Sequence, residues 1–172
     1  MNIEFHYYIL HVLCKEAGFT DIDSEIIAYS SQYVDDNIVI NIIDFGSEKY
    51  ETQVTQNYGW WGEYFPKHVY IPFHFFPGDI DYPKAARLNG KTNSYNCTPG
   101  SKNVTRLLEE TYKTDNLYQI GIALHTYADS WAHQNFSGLN QRWNIVHKDT
   151  IVPNVGHAEI YSKPDDIRNV WT

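Results

Sequence analysis

Cysteine is scarce in this 172-residue chain: only Cys14 and Cys97 occur, the first of them on an apolar helical face. That excludes a Cys-rich zinc module and argues against a disulfide framework. Basic residues are also few, 13 Lys and Arg against 21 Asp and Glu, giving a formal net charge of −8. Duplex nucleic acid, held mainly through phosphate contacts, is therefore not expected as a standing partner. Two or three bound divalent cations would nevertheless cancel much of that acidity just where an anionic substrate must sit. No apolar run reaches ~18 residues, and no basic stretch precedes an apolar core, so neither a membrane span nor a leader is expected. The chain reads as cytoplasmic. A phosphate-cradling glycine loop and a G-x-S-x-G elbow are missing too.

Aromatic residues, by contrast, are abundant: 16% of the chain, with 14 Tyr and 5 Trp. Such a composition suits a folded globule the size of one domain, 1–172. Residues 2–17 read as a first helix, with Ile3, Tyr7, Leu10, Leu13, Cys14 and Ala17 on one stripe and Gly18 as the stop. A second helix, capped by Asp21, Asp23 or Ser24, runs to Asp35-Asp36. The period then changes. Asn37 to Phe45 and Gln53 to Phe76 are rich in Ile, Val, Tyr and Phe, with turn signals at Gly46-Ser47 and Gly59, and predict two to four short strands or extended loops. Pro77-Gly78 and Asn89 to Gly100 punctuate the chain. A third helix is expected over 102–112 and a fourth, capped by Asp115, over 117–134. Beyond Gly138 periodicity fades, as at the end of a truncated chain. The expected fold is mostly α, a helical bundle with an inserted short β-hairpin or extended loops.

The fourth helix carries the most informative pattern, His125, Asp129 and His133 at steps of four. At ~100° per residue the three side chains fall within an arc of about 80°, and the two histidines are roughly 12 Å apart. No single ion can take both, but the Asp129 carboxylate could serve one ion shared with His125 and another with His133, as bridging carboxylates do in two-metal sites. The plain alternative is a solvated face on which His and Asp pair. Leu124, Ala128, Trp131 and Ala132 flank the trio and favour a place beside the core. His6 falls in the apolar stripe of the first helix, either as hydrogen-bonded packing or as a ligand. Of the adjacent acids Asp35 and Asp36 only one is expected inside, and Asp35 shares its face with Ala28, Ser31 and Gln32. His74, opposite Phe73 and Phe75 if extended, needs a partner, which a metal or a backbone carbonyl would supply. His157, after a glycine that permits close approach, and Glu159 are further candidates. His11, His68 and His147 have no such company.

The run Gly121-Ile-Ala-Leu-His-Thr-Tyr-Ala-Asp-Ser-Trp-Ala-His-Gln-Asn-Phe136 resembles the His-x-x-x-Asp helix of zinc-dependent phospholipases C and the related single-strand nucleases. It is closer to the heterokaryon-incompatibility C-type proteins. Further pieces are similar to an uncharacterised bacterial family in or near that group: Asn2 to Tyr8, Ala17 to Phe19, Ile27 to Asp36, Pro72 to Gly78, Gly156 to Glu159, and Pro164-Asp165. The resemblance implies a mostly helical fold with a trinuclear zinc cluster in an interior cleft. By motif position His125 and Asp129 match two ligands, Asp129 the bridging one. His6 matches the first-helix histidine, Asp35 or Asp36 the acidic ligand, and His74 the histidine after it; His133 and His157 fall to the remaining zinc. Three departures stand out. The phospholipases use an N-terminal Trp amine where this chain has Met1, His157 is followed by Glu at i+2 rather than i+4, and Asp129 to His133 is shorter than its counterpart.

The expected function is zinc-dependent hydrolysis of a phosphate ester, of a phospholipid, nucleotide or other small molecule, with two or three Zn2+ and Asp35 or Asp36 as general base. Trp60, Trp61, Tyr64 and Phe65 could form a peripheral membrane contact, or pack within the inserted segment. One alternative is a non-catalytic metal-binding or interaction module. Another is an HD-type phosphohydrolase, which needs adjacent His-Asp; no His here is directly followed by Asp.

Overall fold

The computed structural model describes residues 2–57, 64–81, 91–146, 152–161 and 163–165. A π-helical segment, Glu4–Ile9, runs directly into α1, Leu10–Glu16, and Gly18 ends it at φ +96°. Helix α2 spans Asp21–Asp36. A two-stranded antiparallel hairpin follows, β1 (Ile42–Asp44) on β2 (Lys49–Glu51), with Ile43 opposite Tyr50. A second π-helical segment covers Pro66–His74, then come α3, Lys102–Tyr112, and α4, Leu117–Ala132. The rest is irregular, with three-residue 3-10 turns at Arg142–Asn144, Ala158–Ile160 and Lys163–Asp165. The fold is thus mostly α with a short inserted hairpin, as expected. No described helix is long and apolar enough to cross a membrane.

The helix ends show where side-chain chemistry decides. Thr20, not Asp21, Asp23 or Ser24, caps α2: its hydroxyl oxygen accepts from the Asp23 amide at 3.1 Å and its hydroxyl donates to the Asp23 carboxylate at 2.8 Å. Asn116, not Asp115, caps α4, taking the amides of Tyr118 and Gln119, while Asp115 sits one residue outside at φ +52°. The Gly46-Ser47 turn closes the hairpin as predicted, with the Phe45 amide on the Glu48 carbonyl. Gly59, Trp60, Trp61 and His147 lie outside the described residues.

The stretch that leads to His74 departs further from expectation. The aromatic, β-branched run through His74 is a helix rather than an extended strip. Pro66 occupies its first turn, where a missing amide costs nothing, and Pro72 inside it cannot donate to an α-helical ladder. The repeat here is the wider π one, closed by the Phe75 amide on the Tyr70 carbonyl at 2.7 Å. Pro66, Val69, Tyr70 and His74 are the buried residues of this segment.

Helix α4 packs against α2 and α3, and α2 against α1. At the α2–α4 crossing Gly121 lies so close to Ile27 and Ser30 that an added methyl would collide with the Ile27 carbonyl and come within 2.7 Å of the Ser30 Cβ. One apolar cluster, Cys14, Ile27 and Ile120 with Leu10, Leu117 and Leu124, fills the start of this crossing. A second, Val54, Val69, Tyr70, Phe75, Phe136 and Val155, gathers around the second π segment. Helix α4 runs from the first cluster towards Phe136 in the second. Its buried residues in between are polar: His125, Thr126, Asp129 and Ser130. Cys14 and Cys97 are both free and buried.

Candidate metal centre

Four elements converge on Asp129. Helix α4 supplies His125 and Asp129, one turn apart and 0% and 1% exposed. The first π segment supplies His6, and the second supplies His74 at its last residue. Helix α2 supplies Asp35 near its C-terminus, one turn after the buried Ala28 and Ser31 face. π-Helical turns are rare and frequently occur at functional sites; here both histidines not carried by α4 come from such turns.

The Asp129 carboxylate is surrounded by imidazole nitrogens. Its Oδ1 lies 3.2 Å from His6 Nε2; its Oδ2 lies 3.0 Å from His74 Nδ1, 3.2 Å from His125 Nε2 and 3.6 Å from His133 Nδ1. His74 Nδ1 and His125 Nε2 are 3.2 Å apart, and each is 3.8 Å from Asp35 Oδ1. The rings of His6 and His125 stack at 4.0 Å. Among the described residues neither Asp35 nor Asp129 pairs with a lysine or arginine; their ion-pair partners are histidines.

Hydrogen bonds set the tautomers. His74 Nε2 donates to the Thr55 carbonyl at 2.8 Å, so in the neutral ring Nδ1 bears the lone pair that faces Asp129. Metal-ligating histidines are oriented in this way, one nitrogen on a carbonyl and the other on the ion. His133 Nδ1 likewise donates to the backbone carbonyl of His74 at 2.6 Å. Burial, and then the neighbouring His6, push the His125 imidazole down to about 3. Burial and the Asp129 charge push the Asp35 carboxyl up to about 6. Burial alone would raise Asp129 as well, but the His133 and His125 imidazoles outweigh it and hold that carboxyl well below its ordinary range.

These residues fit a metal ion. Ligand atoms of His6, Asp35 and His125 lie within 4.8 Å of one another, and so do those of His74, His125 and Asp129. In the first trio every member carries a buried polar atom without a hydrogen-bond partner: His6 Nδ1, both Asp35 oxygens and His125 Nδ1. Orphaned carboxylate oxygens in a dry interior are costly. A divalent cation would satisfy them. A mixed nitrogen and oxygen donor set suits zinc and similar divalent transition metals.

The remaining candidates divide. His133 is not inside α4 but at its C-cap, φ −97° and ψ 15°, where the helix has already ended. It adjoins the centre through Asp129 and His74, with Phe75 stacked on its ring at 4.3 Å. His157 joins neither trio; its ring lies 4.7 Å from that of His133, and its Nδ1 donates to the Tyr161 carbonyl at 2.6 Å. Gly156, at φ +51°, permits this approach, since a side chain there would strike the Phe75 ring. Asp36 points outward, is exposed and accepts from Gln32 Nε2 at 3.2 Å, so it takes no part in the centre. Glu159 is buried against the Val146 amide at 2.8 Å. His11 pairs with Glu25 at 3.9 Å and His68 stacks on Tyr64. Two contributors were not foreseen. Thr126 ties α4 to the Phe73 carbonyl beside His74, for which a threonine between His125 and Asp129 was the available signal. The Thr55 carbonyl left no signal, because every residue type carries one.

A family model described as a family of unknown function (DUF6765) matches residues 1–172. The chain belongs to the DUF6765 family. No match was found among the curated proteins or among the solved structures. The His/Asp centre of this DUF6765 chain therefore stands on its own geometry.

Proposed function

We propose that this DUF6765 protein is a zinc-dependent hydrolase of phosphate esters, and the observation that carries the proposal is the convergence of His6, Asp35, His74, His125 and Asp129 in one buried centre with unsatisfied ligand atoms. His74, His125 and Asp129 would hold one ion; His6, Asp35 and the second nitrogen of His125 or the second oxygen of Asp129 would hold another. His133 and His157, each with Nδ1 on a backbone carbonyl, would be the donors for a third. Bound zinc would supply Lewis acidity and a water whose pKa falls towards ~7. Asp129, its two oxygens facing different histidines, holds the ligand nitrogens in register. Asp35, the one of the two adjacent acids turned inward, carries the oxygen able to receive a proton, and the general-base role falls to it rather than to Asp36. A phospholipid, a nucleotide or another small phosphodiester fits this chemistry.

Burial favours a second reading. The five residues are almost wholly enclosed among the described residues, and closed metal sites are structural ones. In that case the ion holds the four elements together and the chain is a binding module. Elemental analysis of the purified protein and a panel of phosphodiesters separate the two. Two or more zinc ions per chain with hydrolysis, both lost in Asp129→Asn, support the hydrolase. Metal without hydrolysis by the wild type supports the module, and a metal-free chain rejects both.

A further inference from the structure

Thr55 lies at the root of the segment that carries the hairpin, and all three of its polar groups are engaged. Its amide donates to the Asn37 carbonyl at 3.1 Å. Its hydroxyl donates to the Val34 carbonyl at 2.8 Å. Its own carbonyl accepts from His74 Nε2 at 2.8 Å. Val34 and Asn37 bracket Asp35, and the Val34 carbonyl belongs to the last turn of α2, where helical carbonyls have no amide of their own. Asn37 reinforces the junction, its side-chain amide on the Gln53 carbonyl at 2.8 Å and its carbonyl also accepting from Gln56 at 3.2 Å.

A single buried residue therefore ties the end of α2, which presents Asp35, to the imidazole of His74. We infer that Thr55 is a positioning residue for the metal centre: through its hydroxyl and carbonyl it fixes the separation of Asp35 from His74 and selects the His74 tautomer whose Nδ1 faces the ion. The inference rests on the metal-centre reading above. The carbonyl cannot be mutated away, but the hydroxyl can. Without it the Thr55 segment is no longer pinned to α2, and the carbonyl under His74 shifts with it.

The test uses zinc affinity by chelator competition and the visible spectrum of the Co2+-substituted protein. Thr55→Val keeps the shape and removes the hydroxyl, and roughly tenfold weaker zinc binding with altered Co2+ bands is expected, in line with other losses of groups that orient metal ligands. Thr55→Ser restores the donor and is expected to restore both readouts. Val104→Ala, a core truncation in α3, serves as the control for lost stability and is expected to keep the wild-type affinity and spectrum. The inference is overturned if Thr55→Val binds like wild type, if Thr55→Ser fails to rescue, or if Val104→Ala weakens binding equally. Should Thr55→Val not fold, Asn37→Ala, which removes the bond to Gln53 at the same junction, replaces it; a smaller weakening is expected, and unchanged affinity overturns the clamp. A wild type that binds neither Zn2+ nor Co2+ overturns the metal reading itself, an outcome visible before any variant is made.

Discussion

The hairpin and the Asp129 centre treat polarity in opposite ways. In β1 and β2 every residue is exposed; Ile42, Ile43 and Phe45 stand in solvent at 67%, 43% and 70% of their full exposure. Adjacent strand residues point to opposite faces, so among the described residues neither face of the hairpin is covered. Around Asp129, two carboxylates and four imidazoles are buried instead. Leaving a large aliphatic side chain exposed forgoes about 1.5–3 kcal/mol. Burying an ion costs several kcal/mol unless it is compensated. The difference teaches where change matters. The hairpin has little packing to lose, whereas every atom of the centre depends on its neighbours.

The largest effect is expected at Asp129. In the metal-loaded protein Asp129→Asn removes the anion shared by four imidazoles, and the cost should approach the roughly 3–5 kcal/mol of a broken buried pair, read as a drop in denaturation midpoint. Gly121→Ala comes next. Its methyl has no room between α2 and α4, and overpacking of this kind costs about 1–3 kcal/mol. Since α2 carries Asp35 and α4 carries Asp129, metal affinity should fall with stability. A variant as stable as wild type would show that the crossing can open without harm.

A third, smaller effect depends on pH and is seen with chelator present. The folded Asp35 carboxyl is raised to about 6, above an unfolded value of about 3.9. Its contribution to stability is therefore full below about pH 3.9 and lost as pH rises through 6. His125 runs the other way: depressed to about 3 from about 6.5, it contributes above pH 6.5 and loses that contribution as pH falls towards 3. The two slopes oppose each other between pH 4 and 6. Asp35→Asn deletes only the first, so its melting temperature relative to wild type should climb across that interval. A constant or falling difference would remove the raised Asp35 from the account. The smallest effect belongs to the hairpin, where Phe45→Ser should change stability by no more than about 0.5 kcal/mol and leave metal content untouched. A larger loss would mean that the exposed strands are packed against something in solution.

How legible the centre was depended on the kind of information each residue carried. His125 and Asp129 could be paired on paper because one helical turn relates them, and the helix formed where its periodicity indicated. The choice of Asp35 over Asp36 was legible for the same reason, through the small residues Ala28 and Ser31 on its face. The sequence marks His74 as needing a partner but not the form of its segment, because Val, Tyr and Phe favour strands and only the surrounding packing makes it a π-helix. His133 looked helical by spacing alone, yet the chain leaves α4 just before it. The caps at Thr20 and Asn116 show the same limit on a smaller scale, since several neighbouring polar residues could each have served and only local geometry selects one.

Local spacing alone thus determined α1 to α4, the turn at Gly46-Ser47, and the pairing of imidazole with carboxylate along α4, because those relations extend over a few residues of regular backbone. Only the tertiary structure brought His6, Asp35 and His74 to Asp129, and it did so through contacts no spacing encodes. The close crossing at Gly121, the two π turns and the carbonyl of Thr55 act between segments far apart in the chain. A backbone carbonyl is present at every position, so its place in the centre is decided by packing and by nothing written in the residue itself.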